Sequence, residues 1–263
     1  LLNEEELYGR YRQVQEAMGR KAVYFRMYDI GSDKTLPFMN MPVEANPSLG
    51  WRGGRLLLGE GDLLKAQARA LARTSKHGPV NVMYPMVIDH TQFLALKKAF
   101  NDATSDVEKG EIRHGIMFEV PSACLQAAEL FRDIDFGSVG TNDLIQYLFA
   151  VDRDNEKVAY DYHPDRSVFW RLLSDMVGAA REAGKPLSVC GELAGDPKYV
   201  TRLMEVGIGT VSVSARRIPA VRLTAGQALK DRKDAKNTKR RRQDGPQGKQ
   251  NRKEPDDCVC RRV

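Results

Sequence analysis

The chain has 263 residues, 42% of them hydrophobic and 8% aromatic, the make-up of a globular core rather than of a fibrous or low-complexity protein. No apolar run approaches the roughly 18 residues of a membrane span and no signal-peptide pattern opens the chain, so a cytoplasmic protein without a membrane partner is expected. The net charge of +6 is local: residues 230–263 hold 13 Lys and Arg against 6 Asp and Glu, leaving residues 1–229 at −1.

Asn3 ahead of Glu4, Glu5 and Glu6 predicts a helix start, with a capping side chain and acids at the positive dipole end. Leu7, Tyr11, Val14 and Met18 recur at helical spacing, and Gly19 closes the segment. Residues 22–28 then read as a buried strand, followed by a polar loop through Asp29, Gly31, Asp33 and Lys34, and 52–56 fits a further short strand. The alternation continues with helix 63–75 and strand 80–84, helix 91–103 and strand 115–119, and helix 122–131 and strand 136–139. It ends with helix 167–183 and strand 187–190, then helix 198–206 and strand 211–214.

Short apolar strands alternating with helices imply an α/β fold with a parallel sheet. A (β/α)8 TIM-type barrel typically takes about 250 residues and eight strands. Six clear strands and one short one are visible, so a barrel lacking its first strand is expected, that strand lying upstream of residue 1. From Lys230 the composition becomes charged and polar with almost nothing apolar. This divides the chain into a barrel domain, 1–229, and a basic, disordered tail, 230–263. Lys239, Arg240, Arg241 and Arg242 also suit a nucleic-acid arm; a solvated tail explains them without any such partner.

In a parallel α/β protein the reactive side chains gather at the carboxyl ends of strands. Those positions hold Arg26, Arg52, Glu119, Asn142, Asp143, Arg153 and Cys190. Glu119 and Asp143 stand one βα unit apart and suit Mg²⁺, which takes one or two carboxylates and keeps its waters. Asp143 equally suits a helix N-terminus, whereas Glu119, directly before Val120 and Pro121, does not. Three arginines near a divalent cation describe a site for a phosphate ester, though each alone also suits a surface ion pair. Arg69 and Arg73 are read only as such pairs. Cys190 is either a small core residue or a rim thiol able to give or take a proton or act as a nucleophile. Cys258 and Cys260 lack a second ligand pair for a metal. His77, His90, His114 and His163 share no spacing and are read as surface residues.

The stretches FRMYDIGSDK, EANPSLGWRGGR, VNVMYPMV, GIMFEVPSA, DFGSVGTNDLIQYLFAVDR and VCGELAGD occur in that order. Together they resemble the C-terminal PEP-utilizing domain of the phosphoenolpyruvate-protein phosphotransferase family, enzyme I of the bacterial phosphotransferase system. Phosphoenolpyruvate synthase and pyruvate phosphate dikinase share that barrel and remain alternatives, as does a non-catalytic dimerisation or regulatory module. The family's GGDK, EENP and ETP stand here as Gly31-Ser32-Asp33-Lys34, Glu44-Ala45-Asn46-Pro47 and Glu119-Val120-Pro121. The resemblance implies that Arg26, Arg52 and Arg153 hold the phosphoryl group and that Glu119 and Asp143 bind Mg²⁺. It further implies that Asn142 and Asp143 bind phosphoenolpyruvate (PEP) and that Cys190 protonates the enolate of pyruvate. The partners implied are a phosphohistidine domain, a phosphocarrier protein and a second copy of the chain.

Overall fold

The computed structural model describes residues 3–31 and 43–243. Ser32, Asp33, Lys34, Cys258 and Cys260 lie outside the described residues. Helix α1, Glu4–Met18, begins at a reciprocal cap: Asn3 Oδ1 accepts the Glu6 N–H and the Glu6 carboxylate accepts the Asn3 N–H, both at 2.9 Å. Strand β1, Val23–Arg26, follows. Helices α2, Gly54–Gly59, and α3, Gly61–Thr74, precede β2, Val80–Tyr84. Helix α4, His90–Ala103, leads to β3, Ile112–Phe118, and the short helices α5, Pro121–Leu125, and α6, Ala127–Leu130, lead to β4, Phe136–Gly140. Helices α7, Thr141–Leu148, and α8, Ser167–Glu182, precede β5, Leu187–Cys190. The short α9, Glu192–Gly195, then α10, Pro197–Val206, and α11, Ile218–Gln243, complete the described chain.

The five strands form one parallel sheet in sequence order, β1 through β5. Parallel neighbours in chain order require helical crossovers, which the intervening helices provide. Alternation splits each strand between two faces. Phe25, Val82, Ile116, Phe118, Val139 and Val189 point to the helix layer and are buried there against Leu57, Leu71, Leu96, Phe131 and Leu173. Tyr24, Arg26, Met83, Met117, Ser138 and Cys190 line a hollow of about 500 Å³ on the opposite face. Tyr24 on that face is 56% exposed. Among the described residues the sheet is an open, parallel half-barrel.

Two expected strands are absent. Residues 52–56 belong mainly to α2: Gly53 turns the chain at a φ of 53°, where its missing Cβ avoids Met86, and Leu56 and Leu57 are both fully buried. A short apolar run with neighbouring buried leucines fits a core helix as well as a strand, which is why periodicity misleads there. Residues 211–214 contribute a single parallel bridge, Val211 with Val189, supported by Ser212 N–H to Val189 O at 2.8 Å. A 3₁₀ turn at Ala215–Arg217 ends that extension after four residues. His114 is also not a surface residue: its side chain enters the helix layer, Nδ1 lying 3.0 Å from Tyr84 OH and the ring edge-on to Phe100. Helix α11 continues past Lys230 to Gln243, so the change in composition falls within a helix.

Arg69 and Arg73 bind the start of α1 rather than a ligand. Arg69 pairs with Glu4 at 2.9 Å, and Arg73 pairs with Glu4 and Glu5 at 3.1 and 2.7 Å.

Candidate active site

The carboxyl ends of β1, β3, β4 and β5 bring Arg26, Glu119, Asn142, Asp143 and Cys190 to one rim, and the turn into α2 adds Arg52. Arg52 is 4% exposed. Its Nε and Nη2 donate to Asp29, with Nη2 at 3.2 and 3.0 Å from the two carboxylate oxygens and Nε at 3.3 Å from Oδ1. Nη1 lies 3.5 Å from Asp143 Oδ1 and 3.3 Å from Tyr147 OH. Burial disfavours the charged guanidinium, but Asp29 overrides it, followed by Asp143, so Arg52 is held firmly protonated.

Arg153 approaches Asp143 from the other side, Nη1 to Oδ1 3.8 Å. That Nη1 is buried and has no hydrogen-bond acceptor. A buried guanidinium nitrogen without an acceptor costs on the order of 1–3 kcal/mol or more, and sites that bind anions keep such donors. Arg26 stands apart from these two. It is half exposed on the hollow face of the sheet, with Nη1 3.5 Å from Asp29 Oδ2, rather than an arginine buried at the strand end.

Glu119 lies just past β3 and is 1% exposed. Its Oε1 accepts the Met86 N–H at 2.7 Å. Its Oε2 faces Gly140, where any Cβ would approach to 2.8 Å, so a side chain there would displace the carboxylate. Burial, then the charges of Asp29 and Asp143, push the Glu119 carboxyl up to about 8. A carboxylate so disfavoured as an anion is suited to a cation. With Asp143 it offers hard oxygen donors and leaves room for water, a donor set that fits Mg²⁺. No cluster of three or more acidic, His or Cys side chains forms an all-protein metal cage among the described residues.

Gly191 takes a φ of 96°, and a Cβ there would meet Thr141 Oγ1 at 2.3 Å and Asn142 Oδ1 at 2.8 Å. Only glycine lets the turn after β5 close onto the start of α7. Thr141 then donates to Cys190 O at 2.8 Å, and Asn142 Oδ1 accepts the Glu192 N–H at 2.9 Å. Cys190 Sγ lies 3.4 Å from Val139 O and 3.5 Å from Met117 Sδ. Burial, opposed by a hydrogen bond with Ser138, raises its thiol, which keeps the proton on sulfur at neutral pH. Cys190 borders both the hollow of the sheet and a second one of about 1020 Å³ shared with Asn142, Gly191 and Glu192.

Arg52, Asp143 and Arg153 thus meet directly, Glu119 lies within their electrostatic reach, and Asn142 and Cys190 flank them. Asp29 and Tyr147 are participants not among the expected site residues, although strand-end reasoning did place the Asp29 loop at the mouth of β1. The sequence signal for Asp29 was its place three residues after Arg26, at the mouth of the same strand. Tyr147 lay on a helix and gave no such signal.

A family model described as the PEP-binding domain of PEP-utilising enzymes matches residues 1–229. The chain belongs to the PEP-utilising enzyme family. Within that family it is 43% identical over 225 residues to the phosphoenolpyruvate-protein phosphotransferase of Lactococcus lactis subsp. cremoris, covering 82% of this chain and 39% of that protein. It is 39% identical over 226 residues to multiphosphoryl transfer protein 1 of Escherichia coli K12, covering 84% of this chain and 27% of that protein. The chain therefore spans well under half the length of these relatives. In fold the chain is similar to a citrate lyase of Burkholderia xenovorans LB400, with a TM-score of 0.52 at 13% identity over 83% of this chain and 63% of that one.

Proposed function

We propose that this chain is the part of a Mg²⁺-dependent phosphotransferase that binds PEP and yields its phosphoryl group to a histidine on another domain, releasing pyruvate. The observation that carries the reading is the buried, acceptor-free Nη1 of Arg153, 3.8 Å from an Asp143 that Arg52 also approaches. Two guanidinium groups converging beside two carboxylates suit a phosphate ester that arrives with a divalent cation. The family membership and the relatives named as phosphotransferases support the same substrate class.

In this reading Arg26, Arg52 and Arg153 hold the phosphoryl oxygens, and Asn142 with Asp143 orients the substrate. Glu119 and Asp143 hold Mg²⁺, which when bound would neutralise phosphate charge and favour an enolate oxygen. The bond from phosphorus to the enol oxygen breaks as phosphorus joins the histidine nitrogen. The enolate left behind takes a proton on carbon 3 from the Cys190 thiol, and water restores that proton. A thiol kept protonated by burial suits an acid better than a nucleophile.

A closed eight-stranded barrel is the finer form of the same proposal, since Tyr24 and Arg26 stand exposed on a face that a closed barrel would enclose. The phosphocarrier protein, the homodimer and the cytoplasmic setting implied by the resemblance belong to it as well. Among the described residues no helix is long and apolar enough to cross a membrane. Arg153→Gln tests the substrate reading. We expect PEP affinity in calorimetry to fall by about 10-fold to 100-fold, the scale of one lost charged contact. Unchanged affinity would remove Arg153 from the site.

A further inference from the structure

The carboxylate of Asp29 has no part in the chemistry proposed above, yet its side chain is only 2% exposed. We infer that Asp29 is the positioning residue for the phosphoryl-binding arginines, fixing Arg52 so that its Nη1 edge alone faces the substrate; this rests on the proposed role of Arg52. A guanidinium carries five N–H donors in a rigid plane. Asp29 occupies the Nε and Nη2 edge with three contacts of 3.0 to 3.3 Å, the fork arrangement that defines both distance and plane. Only Nη1 is left, and it points at Asp143 and Tyr147. The same Asp29 Oδ2 lies 3.5 Å from Arg26 Nη1, so one buried carboxylate spans two of the three arginines.

One further contact holds this arrangement. The Gly53 N–H donates to Ile30 O at 3.2 Å, which ties the turn bearing Arg52 to the loop bearing Asp29. Arg52 therefore needs no rearrangement to meet an anion. An arginine set in advance loses less side-chain entropy on binding than a mobile one.

The test has two arms on the same chain. In the first, the side-chain Nε–H resonance of Arg52, assigned by its loss in Arg52→Lys, is followed by NMR. Asp29→Asn should shift it and raise its exchange with water at least 10-fold, whereas Tyr147→Phe should leave the Nε edge unmoved. In the second, PEP with Mg²⁺ is titrated calorimetrically. Asp29→Asn should weaken binding about 10-fold in the wild-type background and less than twofold in the Arg52→Lys background. A resonance unmoved by Asp29→Asn overturns the inference whatever PEP does. Equal losses in both backgrounds overturn it too, because Asp29 would then act without Arg52. If the resonance shifts but wild-type protein binds no PEP, the proposed function fails and Asp29 is left as a structural partner only, which also overturns a positioning role. Should Asp29→Asn fail to fold, Asp29→Glu keeps the charge, displaces it by one methylene, and is read by the same two quantities.

Discussion

Glu119 illustrates how a single buried side chain links stability to binding. Its carboxyl, raised to about 8 in the fold from 4.5, binds a proton more tightly folded than unfolded. The stability this contributes is complete below pH 4.5 and is lost as pH rises through 8. Thermal melts without divalent cations should therefore show falling stability from pH 6.5 to 9, by a few kcal/mol at most. Glu119→Gln should flatten that slope and abolish any stabilisation by Mg²⁺; a slope that persists in the variant would assign it to another group. Cys190 allows a separation of roles. Cys190→Ala should leave PEP affinity within about twofold, because a lost methylene-sized contact is small, yet slow pyruvate formation when the chain works within a full-length enzyme. Turnover at the wild-type rate would remove the thiol from the proton step. Most of these residues were legible in the sequence because strand ends are where a parallel fold places chemistry. The role of Asp29 was not: its place at the mouth of β1 could be read, but Arg52, 23 residues away, meets it across a turn that only coordinates reveal.

At the level of elements, the turn from β5 into α9 is the joint that sets Asn142 and Cys190 side by side. Gly191→Ala would need a non-glycine residue at a φ of 96° and a Cβ 2.3 Å from Thr141 Oγ1. Urea denaturation should show a loss of about 2 kcal/mol or more, beyond the roughly 1 kcal/mol of an unfavourable backbone alone. A loss below about 0.5 kcal/mol, the scale of a neutral surface change, would mean that the two loops are not locked together. Strand β3 makes a second prediction. Burial, chiefly, holds His114 down at about 4, against 6.5 unfolded, so its contribution to stability is complete above pH 6.5 and is lost as pH falls toward 4. His114→Gln should make the denaturation midpoint less sensitive to pH between 6.5 and 4.5; an unchanged acid slope would place the titration elsewhere. Elements with strong period or caps, such as α1, α3 and β2, were predictable within a residue or two. The segment at 52–56 was not, because five residues, two Arg, two Gly and one Leu, carry no period. The segment at 211–214 has strand-like residues but pairs at Val211 alone. His114 was read as exposed because histidine composition is silent about which face of a strand it occupies.

At the level of the whole molecule, the parallel sheet has, among the described residues, one face packed on helices and the other open, an unusual arrangement, since such sheets ordinarily bury both faces. Arg26 and Cys190 line that open face, and Glu119 and Asp143 stand at its rim. The chain spans 39% of the length of its Lactococcus relative. What the chain should do by itself is bind. Calorimetric titration of PEP into it, with and without Mg²⁺, addresses that claim most directly. Saturable binding is expected with Mg²⁺, weakening at least 10-fold when the cation is removed by chelation. No heat in either condition, or an affinity indifferent to Mg²⁺, would contradict it.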